Sequence, residues 1–175
     1  MPDELKATYL NKNPLARIFF RTKVNIAIRV AGLKKEDKIL DFGCGAGWQK
    51  NKLKNEGYNV TGYDITPEHS DIKDYRKIKP DKIFELDVFE HISEEEIRKI
   101  LKDFKKMNEN FELIVAIPTE NWISRKMRKF LGKKERVEDH ITTLKEILEI
   151  LNSELKLIQK INPSTDRRTG KIKPF

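Results

Sequence analysis

Three glycines and two aspartates carry the densest chemical signal in the chain. Gly43, Gly45 and Gly47 fall within five positions of "LDFGCGAGWQ", directly after the apolar run "KILDF". A tight reversal of direction needs one glycine. Three positions without side chains let the backbone take positive φ and let a ligand approach the main chain closely. Asp41 precedes the turn, and Asp64 follows 23 positions after Asp41. An acid about twenty residues beyond a glycine turn is spaced to accept hydrogen bonds from ribose hydroxyls. The dinucleotide pattern G-x-G-x-x-G does not fit, because the third glycine arrives early and Trp48 stands at the expected place. The Gly-Lys-Ser/Thr phosphate loop is absent.

Groups able to act on a substrate lie further on. "DVFEHI" brings together Asp87, Glu90 and His91, and "EDHI" supplies His140. His69 reads as a surface loop residue. Cys44 reads as a small buried side chain in the turn, with no neighbouring base to activate it. No Cys/His set has zinc spacing, so no metal site is expected.

These residues need a scaffold, and the patterning describes one. Residues 14–33 carry a broad apolar stripe at helical spacing, with Gly32 as a stop. Lys38–Phe42 is a short buried strand, 48–56 a helix ended by Gly57, and 58–64 a strand closed by an acid. Residues 81–89 form the next strand candidate. Ser93 and Glu96 make a capping box before a helix striped by Ile97, Ile100, Leu101 and Phe104. Residues 111–118 are a strand closed by proline. Thr143 and Glu146 cap another helix, and 154–161 is a last clear strand. Strands alternating with helices predict an α/β fold, a doubly wound, mostly parallel sheet with helices on both faces. In such sheets ligands bind beyond the carboxyl ends of the strands.

The chain has 175 residues, 38% hydrophobic and 37% charged, with a formal net charge of +8. The expectation is one domain over 1–175, with a helical cap at 1–36, a binding core at 37–161 and a lid insertion at 119–140. No apolar run spans a membrane, no secretory signal is evident, and the single cysteine suits a reducing cytoplasm. The basic balance permits nucleic acid or anionic membrane without establishing either. "NWISRKMRKFLGKKER", residues 121–136, holds seven Lys/Arg against one Glu with interleaved apolar residues. It reads as an amphipathic lid helix, as a peripheral membrane contact or as a phosphate-binding segment.

The stretch "LDFGCGAG" resembles the first motif of the class I S-adenosylmethionine-dependent methyltransferases, small-molecule type: a strand ending in an acid, then G-x-G-x-G. Asp41, Gly43, Gly45 and Gly47 match it position by position. "DKIFELDVFEHI", "IPTENW" and "EDHITTLKEILEIL" resemble later stretches of the same family, so the likeness runs from about residue 37 to 161. It implies a Rossmann-like fold with S-adenosylmethionine as cofactor and methyl transfer to a small-molecule or lipid-like acceptor by in-line displacement. It implies that the glycine turn, with Cys44, holds the methionine portion and that Asp41 faces the ammonium group. Asp64 takes the ribose, Ile65 packs on the adenine, and Asp87 lies in a loop against the cofactor. For the adenine amino group Asp71 is the candidate and Asp74 its competitor. His91 and His140 are the candidates for catalysis at the acceptor. Only 16 residues separate Asp64 from Asp81, where the family fits a helix and a strand. The C-terminal stretch is short for a closing hairpin, so the last strand is expected to be minimal or missing. Two alternatives stand beside this reading: an RNA-binding or RNA-methylating protein on the same fold, and a catalytically degenerate cofactor-binding partner subunit.

Overall fold

The computed structural model describes residues 12, 14–118, 141–161 and 167–174. Helix α1 covers Pro14–Ala31, strand β1 Lys38–Phe42, helix α2 Trp48–Asn55 and strand β2 Asn59–Tyr63. Strand β3 is Lys82–Leu86, helix α3 Glu94–Met107, strand β4 Glu112–Pro118, helix α4 Leu144–Glu154, strand β5 Leu155–Ile161 and strand β6 Arg167–Pro174. One 3-10 turn spans Tyr75–Lys77 and another Phe89–His91. Both capping boxes form as the sequence suggests: Ser93 with Glu96 and Thr143 with Glu146. Glycines at positive φ follow α1 and α2, at Gly32 and Gly57.

The sheet has the order β2-β1-β3-β4-β6-β5. The first four strands are mutually parallel, and β6 runs antiparallel between β4 and β5. Side chains alternate between faces with period two. Ile39, Phe84 and Ile114 pack with Ala27 and Ala31 of α1 and Leu53 of α2. Leu40, Ile83, Leu113 and Val115 pack on the opposite face with Ile97, Leu101 and Phe104 of α3 and Ile147 and Leu151 of α4. Strands apolar on both faces are what a parallel sheet covered by helices requires.

Two sequence expectations change here. The closing strand is present: β6 is eight residues long and pairs on both sides. Its composition hid it. Its one buried hydrophobic residue among those described is Ile172, and Lys171 is tied by a salt bridge to Glu112 of β4 at 2.7 Å. The third strand candidate is shorter than 81–89, because Asp87 adopts φ 61° and ends β3 at Leu86.

The short connection after β2 holds the Tyr75–Lys77 turn and no strand, so β2 is an edge of the sheet. Asp71 occupies part of that edge. Its amide donates to the Gly62 carbonyl, and the Gly62 amide donates to its carboxylate, each at 2.9 Å. Among the described residues no helix is long and apolar enough to cross a membrane.

Candidate functional site

The chain leaves β1 for β2 on one side and then crosses over β1 to reach β3. The carboxyl ends of β1 and β3 therefore flank a point where strand order reverses, the usual place for a ligand in an open α/β sheet. Every described residue of the predicted site lies in or beside the segments leaving β1, β2 and β3.

Gly43, Gly45 and Gly47 take φ values of 73°, 48° and 80°, so all three use the left-handed region that favours glycine. The amides of Gly43 and Cys44 both donate to the Tyr63 carbonyl, at 2.8 and 3.0 Å. Gly45 donates to Asp64 Oδ2 at 2.8 Å, and the Thr66 amide donates to Asp64 Oδ1 at 2.8 Å. The turn from β1 and the acid after β2 are thus one hydrogen-bonded unit. Ile65, next to it, is 91% exposed, the most exposed of the large hydrophobic residues described.

Asp41 is buried, and its Oδ2 has no hydrogen-bond partner. Burial pushes its carboxyl up to about 7, opposed by the charge of Lys50. An uncompensated buried carboxylate is costly, and an incoming cation would offset that cost. Cys44 is half-buried, and its thiol donates to the His69 carbonyl at 3.4 Å. Burial and then the nearby Asp41 charge raise it to about 12, so it is no nucleophile at neutral pH.

Asp71 is tied to α2 and to the edge strand β2. Lys50 reaches its Oδ1 at 2.9 Å and Lys54 its Oδ2 at 2.8 Å. Against the penalty of partial burial, the hydrogen bonds from Lys54, the Gly62 amide and Lys50 pull its carboxyl down to about 2. The competitor Asp74 is also engaged, capping the Tyr75–Lys77 turn and pairing with Arg76.

Asp87 forms a salt bridge with Lys23, a buried residue of α1. His91 lies in the Phe89–His91 turn, exposed, with its amide on the Val88 carbonyl at 3.0 Å. Glu90 is buried beside it, and burial raises its carboxyl above the ordinary range. His140 and the basic segment 121–136 lie outside the described residues. Among the described residues no cluster of three or more His, Cys, Asp or Glu is placed to hold a metal ion.

The structure adds residues that sequence reading passed over. Lys50 is buried behind the glycine turn. Gln49 is buried with neither amide atom hydrogen-bonded. Glu85 is fully buried, and its Oε1 accepts the amides of Val88 and Phe89 at 2.8 and 2.9 Å. The signal for Glu85 was available, as an acid inside the apolar strand "KIFEL". Lys50 carried none, since a lysine in a lysine-rich helix reads as solvent-exposed.

A family model described as a methyltransferase domain matches residues 15–159. No curated protein matches the sequence. Among solved structures, the PH0226 protein from Pyrococcus horikoshii superposes with a TM-score of 0.73 at 14% identity, covering 98% of this chain and 96% of that one. The N-methyltransferase NodS from Bradyrhizobium japonicum, in complex with S-adenosyl-L-homocysteine, gives a TM-score of 0.66 at 16% identity, covering 94% and 90%. Magnesium protoporphyrin IX methyltransferase from Synechocystis, with S-adenosylhomocysteine bound, gives 0.61 at 18% identity, covering 87% and 82%.

Proposed function

This chain belongs to the methyltransferase domain family, and from that premise we propose that it moves the methyl group of S-adenosylmethionine onto a small-molecule or lipid-like acceptor. The observation that carries the proposal is the unit built from Asp41, the glycine turn and Asp64. The buried, unpartnered Oδ2 of Asp41 suits an ammonium group of a ligand. The Gly45–Asp64 hydrogen bond leaves further acceptor capacity on both Asp64 oxygens for ribose hydroxyls. Ile65 offers an apolar surface to a base. Nothing in this set is specialised for a diphosphate.

The cofactor would supply a methyl group on a sulfonium, already activated for displacement. The chain's task is then to hold both reactants in line and keep water out. His91 and the Asp87 loop leave β3 next to the glycine turn, which suits them to the acceptor side. His140 would complete that side. A general base is needed only where the acceptor must lose a proton. The acceptor class is supported by one of the structural neighbours, which is named for magnesium protoporphyrin IX.

Calorimetry with S-adenosylhomocysteine and with NAD tests the cofactor, and binding of NAD alone would overturn it. Methyl-labelled S-adenosylmethionine, incubated with protein and a cell extract, tests the acceptor class. Label is expected in the low-mass or solvent-extractable fraction. Label confined to RNA would overturn the small-molecule reading.

A further inference from the structure

Lys50 projects from α2 into a place where a lysine is expensive. It is 8% exposed, although it sits in a helix with four lysine or asparagine neighbours in reach of water. Its ammonium donates to Asp71 Oδ1 at 2.9 Å and to the His69 carbonyl at 3.0 Å. Its stem fills the space beside two glycines. A Cβ on Gly62 would lie 2.5 Å from Lys50 Cδ, and one on Gly47 would lie 3.0 Å from Lys50 Cε. Burying an ion pair gives little net stability, since desolvation cancels much of the attraction. An apolar residue of similar length would fill the same space more cheaply, so stability does not explain the choice.

The partners of Lys50 explain it better. His69 and Asp71 belong to the short connection after β2, whose first residues are Asp64 and Ile65. Inside that loop the Ser70 hydroxyl accepts the Asp64 amide at 3.1 Å and donates to the Ile72 carbonyl at 2.6 Å. Asp71 closes it onto Gly62 of the edge strand. No strand outside β2 backs this loop among the described residues. The Cys44 thiol on the His69 carbonyl and the Tyr75 hydroxyl on Asp103 of α3 also hold this connection, and its charged ties to the body of the molecule are Lys50 and, more exposed, Lys54.

We propose that Lys50 is a positioning residue for the nucleoside end of the cofactor, tying the loop that carries Asp64 and Ile65 to α2 where no outer strand stands among the described residues. The inference rests on the S-adenosylmethionine reading. It also has an electrostatic side. The charged and titratable groups acting on Asp41 are Lys50 from α2, Asp71 from the loop and Asp64 from the end of β2, with the Cys44 thiol in the turn beside it. Of these, Lys50 alone favours the carboxylate. Without it Asp41 holds its proton to higher pH, and an ammonium ligand meets a neutral partner.

The test is calorimetry of S-adenosylhomocysteine with the wild-type protein, Lys50→Met and Asp71→Asn over a range of pH. Both variants are expected to bind at least about tenfold more weakly at neutral pH, the usual scale for losing hydrogen bonds to a charged group. The double variant should lose less than the product of the two. In Lys50→Met, the pH below which binding fades should also move up, which a purely structural role would not cause. Should Lys50→Met fail to fold in a thermal melt, Asp71→Asn, which leaves α2 intact, decides the matter by its affinity. A folded Lys50→Met with wild-type affinity and pH profile would overturn the inference alone. No binding by the wild-type protein would overturn the cofactor reading and this inference with it.

Discussion

The amide of Gly45 donates to the carboxylate of Asp64 across 2.8 Å, joining the turn after β1 to the end of β2. Nineteen positions separate the two in sequence. The bond fixes the acid's orientation before any ligand arrives, and a preorganised acceptor costs less to use.

Asp64→Ala is therefore expected to weaken the site. Calorimetry should show cofactor binding weakened by about 1–3 kcal/mol, the scale for leaving buried hydroxyl partners unpaired. Asp64→Asn, which keeps an acceptor for Gly45, should lose less. Equal affinities for all three proteins would remove Asp64 from the site.

Gly43 is bounded from the other side. A Cβ there would meet Val88 Cγ2 at 2.2 Å, and its φ is 73°. Gly43→Ala combines a left-handed penalty of about 1–2 kcal/mol with overpacking of about 1–3 kcal/mol. Chemical denaturation should show that loss. Adding Val88→Ala should return the overpacking part and leave the backbone part. A double variant no more stable than Gly43→Ala would mean that Val88 is not what crowds the turn.

Asp41 and Glu85 make stability depend on pH in an unusual direction. Burial raises Asp41 to about 7, and burial together with the Glu90 charge raises Glu85 to about 8. Both folded values lie above the unfolded ones, so the folded protein binds more protons between about pH 4 and 8. Stability from these groups is full below the unfolded values and is lost as pH rises through the folded ones. Each retained proton contributes a slope of about 1.4 kcal/mol per pH unit. Melting temperature should fall from pH 5 to pH 8, and Glu85→Gln, which still accepts the Val88 and Phe89 amides, should flatten the fall. A wild-type protein more stable at pH 8 than at pH 5 would contradict the assignment.

Asp41→Asn should separate stability from binding. The variant removes a buried charge that Lys50 offsets only in part, since burial outweighs it, so it should melt higher than wild type at pH 8. It should also lose most cofactor affinity, as residues kept for function often do when stability is improved. A variant that melts higher and binds normally would show that Asp41 does not face the ligand.

How much of this was legible in sequence depended on whether a residue's neighbours were local. The capping boxes, the glycine turn and the buried strands are written in spacings of two to five residues, and they stand in the structure as read. The pairing of Asp64 with the turn is foreshadowed by spacing, because a fixed crossover length links the two. The pairings of Asp71 were not legible, for the converse reason. Its partners Lys50, Lys54 and Gly62 are brought to it by the edge of the sheet, which no local pattern announces. Strand β6 was hidden because its Lys171 is neutralised by Glu112, a partner on another strand.

The pairing of Lys23 with Asp87 gives the last prediction. Lys23 reaches from α1 to the end of β3, and its charge also favours the ionised forms of Glu85 and Glu90. Removing one partner of a buried pair costs about 3–5 kcal/mol, and less here because Asp87 is 30% exposed. Lys23→Met should therefore destabilise by about 2 kcal/mol near neutral pH. The loss should shrink at pH 5, where Glu85, raised to about 8, carries its proton and needs no cation, and grow at pH 8, where part of it is ionised. Urea unfolding of wild type and Lys23→Met at the two pH values measures the difference. A loss equal at both would mean that Lys23 serves Asp87 alone and that Glu85 titrates without its help.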